Sequence, residues 1–259
     1  MRQYNPFSYI RKADPDHALL VALSPKRAQA DISSIHAFCV ELAGIQGKIT
    51  EPQAGLIRLE WWRERVREMA EDGQTSAHPL LPFLHETVTA RGISLPMLHA
   101  VIDGRGAALS GWQPQSMTEL TKQIRASYCT GMNLWAHILD VPPHHIEAQC
   151  IAFTILAHLR SAPWDRGENI CPIPRDILAR FDLHAEQYHS TPVEKLIPVW
   201  EMMGGHAENL LIGTEGSDLK LFRAHRKLCH IYLGALKKAG YHPYALRPVP
   251  FKALRLLFS

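Results

Sequence analysis

The chain is poor in several features that identify a sequence quickly. Its 259 residues include five cysteines, Cys39, Cys129, Cys150, Cys171 and Cys229, widely spread and without a C-x-x-C pair. That spacing argues against a zinc ribbon or a disulfide framework, and free buried thiols in a reducing compartment are the expectation. The opening Met1-Arg-Gln-Tyr-Asn-Pro-Phe7 has no apolar run of the signal-peptide kind. No stretch reaches the roughly eighteen uninterrupted apolar residues of a membrane-spanning helix. A cytoplasmic protein is therefore expected. The formal charge of +3 is too small to imply nucleic acid. No Lys/Arg-dense tract alternates with aromatics as single-strand binders need, so no nucleic-acid partner is expected. Period-two alternation is missing too, which argues against a sheet.

What is present is helical spacing nearly everywhere. Apolar residues make up 46% and charged residues 20%, enough of the first to build a core. Leu59, Trp62, Val66 and Met69 step by three and four, with Arg63, Glu64, Arg67 and Glu68 on the other face. Within that helix Trp62 reads as core and Trp61 as a surface aromatic. A helix is expected from Ser24 to Gln46, with Ser24-Pro25 as N-cap and first-turn proline, and Pro52 opens the next. Further helices are expected at 80–90, 95–109, 117–139, 144–160, 175–180, 193–212 and 219–239, with a short one near Pro250. Breaks fall at Asp72-Gly73, Gly92, Pro142-Pro143, Gly167, 213–216 and Gly240. With no linker composition and no repeat, a single all-α domain over 1–259 is the economical reading.

Four phrases carry more than periodicity. They are Asp14-Pro-Asp-His-Ala-Leu-Leu-Val-Ala-Leu-Ser-Pro25, Ala37-Phe-Cys-Val-Glu-Leu-Ala-Gly-Ile-Gln-Gly47, Ile57-Arg-Leu-Glu-Trp-Trp-Arg63 and His158-Leu-Arg-Ser-Ala-Pro-Trp-Asp-Arg-Gly-Glu-Asn-Ile-Cys-Pro-Ile-Pro174. In this order they resemble the squalene/phytoene synthase family, best over 14–183. The resemblance implies an isoprenoid-synthase-like helical fold with a central cavity. Working members join two prenyl diphosphates, with magnesium held by two Asp-rich motifs on facing helices, the second of form D-x-x-x-D. The spacing has chemical content. Carboxylates at i and i+4 share one helix face, and magnesium demands several hard oxygen ligands to neutralise a departing diphosphate.

Here the degenerate positions are Ala43, Gly44 and Gly47 in the first motif, and Ser161 and Asp165 in the second. Glu41 is two residues from Ala43 and faces elsewhere. Pro163 is expected to end or kink the helix before Asp165. Asp165 and Glu168 are the candidate metal ligands, although Asp165 serves equally as a turn aspartate. Arg58, Arg63, Thr130 and Arg160 are the substrate or cavity candidates. Solvated helix charge or pairing with Glu60 and Glu64 is the favoured reading of Arg58, Arg63 and Arg65, and helix packing is enough to explain the small-residue stretch Thr130-Gly-Met-Asn133.

Leu159-Arg-Ser-Ala-Pro163 and Ala37-Phe-Cys-Val-Glu-Leu-Ala43 resemble one branch of the family, which includes a mitochondrial assembly factor for respiratory complex I. The resemblance implies a catalytically degenerate, non-enzymatic assembly factor. Its partner would be a respiratory complex subunit or assembly intermediate, with a prenyl lipid as a further ligand. No cofactor is expected. The alternatives are an active prenyltransferase, which would need Mg2+, and a lipid carrier. The basic, apolar end Arg247-Pro-Val-Pro-Phe-Lys-Ala-Leu-Arg-Leu-Leu-Phe258 suits peripheral contact with the inner membrane. A final helix docked on the core is the competing expectation.

Overall fold

A computed structural model describes residues 4–49, 51–109, 112–212 and 217–258, apart from the side chain of residue 108. The break expected at 213–216 and residues 1–3 of the opening segment lie outside the described residues. Among those described there is no strand. The helices are α1 (Pro6–Ala13), α2 (Pro15–Leu23), α3 (Gln29–Ala43), α4 (Pro52–Asp72), α5 (Leu81–Arg91), α6 (Leu95–Asp103), α7 (Gly106–Leu109), α8 (Met117–Ile124), α9 (Thr130–Ile138), α10 (His144–Gly167), α11 (Arg175–Ala179), α12 (Val193–Leu211), α13 (Lys220–Lys238) and α14 (Lys252–Leu257). They gather into two compact units. The first holds 1–111, 126–143 and 219–221, and the second holds 112–125, 144–218 and 222–259.

In the first unit, short-range chemistry sets the helix ends. Asn5 accepts a 2.8 Å bond from the Ser8 N–H at the start of α1, and Asp14 does the same for His17 at 3.2 Å at the start of α2. Pro6, Pro15 and Pro52 each fill a first turn, where a missing N–H costs nothing. Gly73 and Gly92 end α4 and α5 at positive φ, 67° and 60°. The stripe read from sequence is the buried face of α4: Leu59, Trp62, Val66 and Met69 are all buried, while Trp61 is exposed. Trp62 meets Phe38 of α3 edge-on at 5.5 Å between ring centres, an arrangement favoured by the ring quadrupoles.

Several sequence expectations are corrected. Ser24 does not N-cap a helix. It closes α2, donating its hydroxyl to the Val21 carbonyl at 2.7 Å, and a 3-10 turn at Lys26–Ala28 intervenes before α3. Ahead of the helices expected from sequence, the opening segment forms α1 and α2. The helix expected at 95–109 is divided into α6 and α7 around Gly104, where a Cβ would collide with the Ala126 carbonyl oxygen and lie 2.7 Å from Ser127 Cα. The helix expected at 117–139 carries a π turn at Arg125–Cys129.

In the second unit α10 continues past Arg160 and through Pro163 to Gly167, so the proline does not stop it before Asp165. Its ring removes one bond, to the Leu159 carbonyl. Burial of Ala162, and a bond from Ser161 to Asp165 across the gap, hold the last turn. Arg166 then ties the following loop down, donating to the carbonyls of Tyr188 (3.1 Å), His189 (3.0 Å) and Thr191. Trp200 of α12 donates its indole N–H to the Tyr188 hydroxyl at 3.1 Å within the core. All five cysteines are free, and four are buried.

Candidate functional site

The first motif stretch lies at the end of α3. Ala43 is exposed, Gly44 caps the helix, and Gly47 sits in a 3-10 turn where a Cβ would meet open space. No steric reason therefore excludes aspartate at Gly47. A Cβ at Gly44 would instead lie 3.7 Å from Lys48 Nζ, so an ammonium occupies the ground beside this position. Glu41, the nearest carboxylate, is engaged elsewhere. It pairs with Lys48 at 3.9 Å and accepts the Tyr9 hydroxyl, whose pKa is raised by burial first and by Glu41 second.

The second stretch is the last turn and a half of α10. Ser161 donates its hydroxyl to Asp165 Oδ2 at 2.7 Å, so the i and i+4 positions do share a face. Asp165 is only 5% exposed, and burial pushes its pKa up to about 6 against the lowering effect of the Ser161 bond. Glu168 is exposed. This donor set offers one buried carboxylate, already bonded to a hydroxyl, where a cluster of magnesium ions needs several.

The cavity candidates scatter by role. Arg63 pairs with Glu60 at 3.2 Å and with Asp103, and Arg58 stands exposed on the same helix. Thr130 bonds back to the Ser127 carbonyl at 2.5 Å and lines an open groove of 630 Å³ with Met97, Asn133, His137 and Pro142. The Arg160 guanidinium lies 3.4 Å from the ring centre of Tyr232, a cation–π contact. Trp61 and Arg65 stack more loosely, at 6.0 Å.

Sequence reading missed a polar cluster in the first unit. Asp14 Oδ2 lies 2.8 Å from His17 Nδ1 and 3.0 Å from His36 Nε2. The two imidazoles stack at 4.5 Å, and Tyr128 closes the far side, its hydroxyl 2.5 Å from His17 Nε2. Burial alone would raise the Asp14 pKa, but His17 and His36 more than offset it and hold the carboxyl well below the usual range. Burial, followed by the charge of His17, pulls His36 down to about 4. A cavity of 80 Å³ beside the cluster is lined by Asp14, His36, Cys39, Ala43, Arg105 and Tyr128, among others. The Arg105 Nε is buried without an acceptor among the described residues. The available signal was an N-cap aspartate with histidine three residues on, lost among fifteen histidines.

These helices, with one motif stretch closing α3 and the other closing α10, define a protein of the isoprenoid-synthase type. The fold matches that of a dehydrosqualene synthase solved in complex with a ligand (TM-score 0.82, 15% identity, 98% of this chain and 93% of that one). It also matches squalene synthase HpnC from Alicyclobacillus acidocaldarius (TM-score 0.78, 16% identity, 92% and 95% covered). The squalene/phytoene synthase family model matches residues 10–255, and the chain belongs to that family. Among curated proteins it is similar to NADH dehydrogenase (ubiquinone) complex I, assembly factor 6, of Rattus norvegicus and Mus musculus, 25% identical over 183 residues. The human counterpart is 22% identical over the same length. Those 183 residues are 69% of this chain and 55% of each relative, so the chain spans about half the length of the curated relatives it matches.

Proposed function

We propose that this chain is a catalytically silent family member that acts as an assembly or interaction factor for respiratory complex I or a related membrane complex. One observation carries the reading. Ala43, Gly44, Gly47 and Ser161 replace carboxylates in both motif stretches, and the lone Asp165 is buried against Ser161. Metal-assisted stabilisation of a leaving group is worth several kcal/mol, and each 1.4 kcal/mol is about tenfold in rate. Removing most of the ligands removes most of that rate. The similarity to complex I assembly factors supplies the direction of the partner, a subunit or assembly intermediate. No cofactor belongs to this reading, and Mg2+ enters only with turnover.

The purified protein is incubated with labelled farnesyl and geranylgeranyl diphosphate plus magnesium, and a deletion strain is assayed for complex I activity beside its carotenoid and hopanoid content. The expected result is no diphosphate release, lowered complex I activity and unchanged isoprenoid products. Magnesium-dependent release that is abolished by Asp165→Asn would establish the prenyltransferase alternative instead.

Peripheral membrane contact is part of the same reading, supported by the C-terminal segment. Helix α14 is docked through the fully buried Leu256, and Lys227 donates to the Phe258 carbonyl at 3.0 Å. Phe251, Leu254, Leu257 and Phe258 nonetheless face outward beside the exposed Arg247 and Arg255. No helix among the described residues is long and apolar enough to cross a membrane. Deleting 251–259 is expected to abolish co-sedimentation with anionic vesicles while leaving the circular dichroism spectrum of the remaining helices in place. Unchanged co-sedimentation removes the membrane contact from the reading.

A further inference from the structure

We propose that Asp14, His17 and His36 form a binding site for one divalent transition-metal ion of the zinc class, separate in its ligand chemistry from the carboxylate motifs of the family. The donors are one Asp oxygen, His17 Nδ1 and His36 Nε2, and these atoms all lie within 4.8 Å of one another. Imidazole with carboxylate suits zinc, cobalt or iron, whereas magnesium prefers oxygen alone. Zinc bonds of about 2.0–2.2 Å in a tetrahedron set ligand atoms roughly 3.3 Å apart. The spacings of 2.8 and 3.0 Å around Asp14 Oδ2 need open by only a few tenths of an ångström.

The surroundings hold the ligands in place. Asp14 is fixed as the N-cap of α2 by its bond to the His17 N–H, which leaves Oδ2 directed at the imidazoles. His17 and His36 are 3% and 6% exposed, so both imidazole donors are withdrawn from bulk water. Trp135 packs edge-on against both rings, at 5.9 and 5.2 Å, and restrains their tilt. The Tyr128 hydroxyl at His17 Nε2 is the outer partner that metal-binding histidines characteristically have, and it fixes the ring with Nδ1 turned to Asp14. The 80 Å³ cavity gives a fourth ligand its room, since one water occupies about 30 Å³ of liquid. The charge of Arg105 on the cavity wall opposes a bare cation, so the ion would carry an anionic oxygen, such as hydroxide, as its fourth ligand.

The site is independent of whether the chain assembles complex I. The full chain, freed of any affinity tag and dialysed against chelator, is titrated with Co2+ and separately with Zn2+. The expected result is one equivalent of Co2+ with the visible absorption of a four-coordinate ion, displaced by Zn2+. Asp14→Asn, which keeps the N-cap oxygen, and His36→Ala are each expected to abolish that absorption, and Tyr128→Phe to weaken affinity about 10–100-fold. Absence of the cobalt spectrum in the wild-type chain overturns the proposal, as does a spectrum unchanged in folded Asp14→Asn. If His36→Ala does not fold, Asp14→Asn decides alone.

Discussion

Replacing Asp165 with asparagine should stabilise the protein at pH 8 and do nothing at pH 4. A carboxyl whose pKa climbs on folding binds its proton more tightly in the native state, so its ionisation opposes folding. Burial lifts Asp165 to about 6. The penalty is absent below the unfolded value near 3.9, grows as the pH rises through 6, and reaches about 2–3 kcal/mol above that. Asparagine cannot ionise and still accepts the Ser161 hydroxyl through its Oδ1. The substitution should thus add about 2 kcal/mol at pH 8, read as a higher urea midpoint with unchanged slope. His36 and His158, both lowered to about 4 by burial first, act in the opposite sense, losing stability as the pH falls from 6.5 towards 4. They are common to both proteins, so the difference between the two isolates Asp165. A pH-independent difference would show that Asp165 is not held in an apolar setting, and the case against a metal there would weaken with it.

The second large effect lies at Gly104. Its dihedrals are ordinary for a helix end, so conformational freedom is not why it is glycine. The reason is proximity: a Cβ would run into the Ala126 carbonyl oxygen and the Ser127 Cα, both backbone atoms in the π turn. A backbone cannot step aside as a side-chain tip can. Gly104→Ala should cost about 3 kcal/mol or more, at the upper end of overpacking. The matched control is Gly47→Ala, where the added methyl enters open space and the effect should stay within about 0.5 kcal/mol. Equal urea midpoints for the two variants would contradict the close approach. A lowered affinity of the Asp14 cluster for cobalt in Gly104→Ala would further tie the π turn, through Tyr128, to that site.

Legibility in the sequence divides along physical lines. The buried stripe of α4 was readable because four side chains at helical spacing all serve one core, and Pro52, Gly73 and Gly92 mark their own helix ends chemically. The family was readable because phrases far apart in the chain keep their order. Ser24 misled because Ser-Pro is equally good at closing one helix and opening the next, and only its bond to Val21 decides. Pro163 misled because proline's penalty is local: one bond is lost, while buried Ala162 and the Ser161–Asp165 bond spanning the proline carry the helix on to Gly167. The π turn leaves no compositional trace. The Asp14–His17–His36 cluster needs α2 and α3 brought side by side, which is long-range packing that neither periodicity nor a motif encodes.

On the proposed reading, Lys48 has a consequence for any attempt to build a carboxylate site at the end of α3. Aspartate placed at position 44 would stand beside the Lys48 ammonium, which already pairs with Glu41, and a salt link there would spend its charge before an ion arrived. A redesign that adds acid there would therefore have to remove the lysine first.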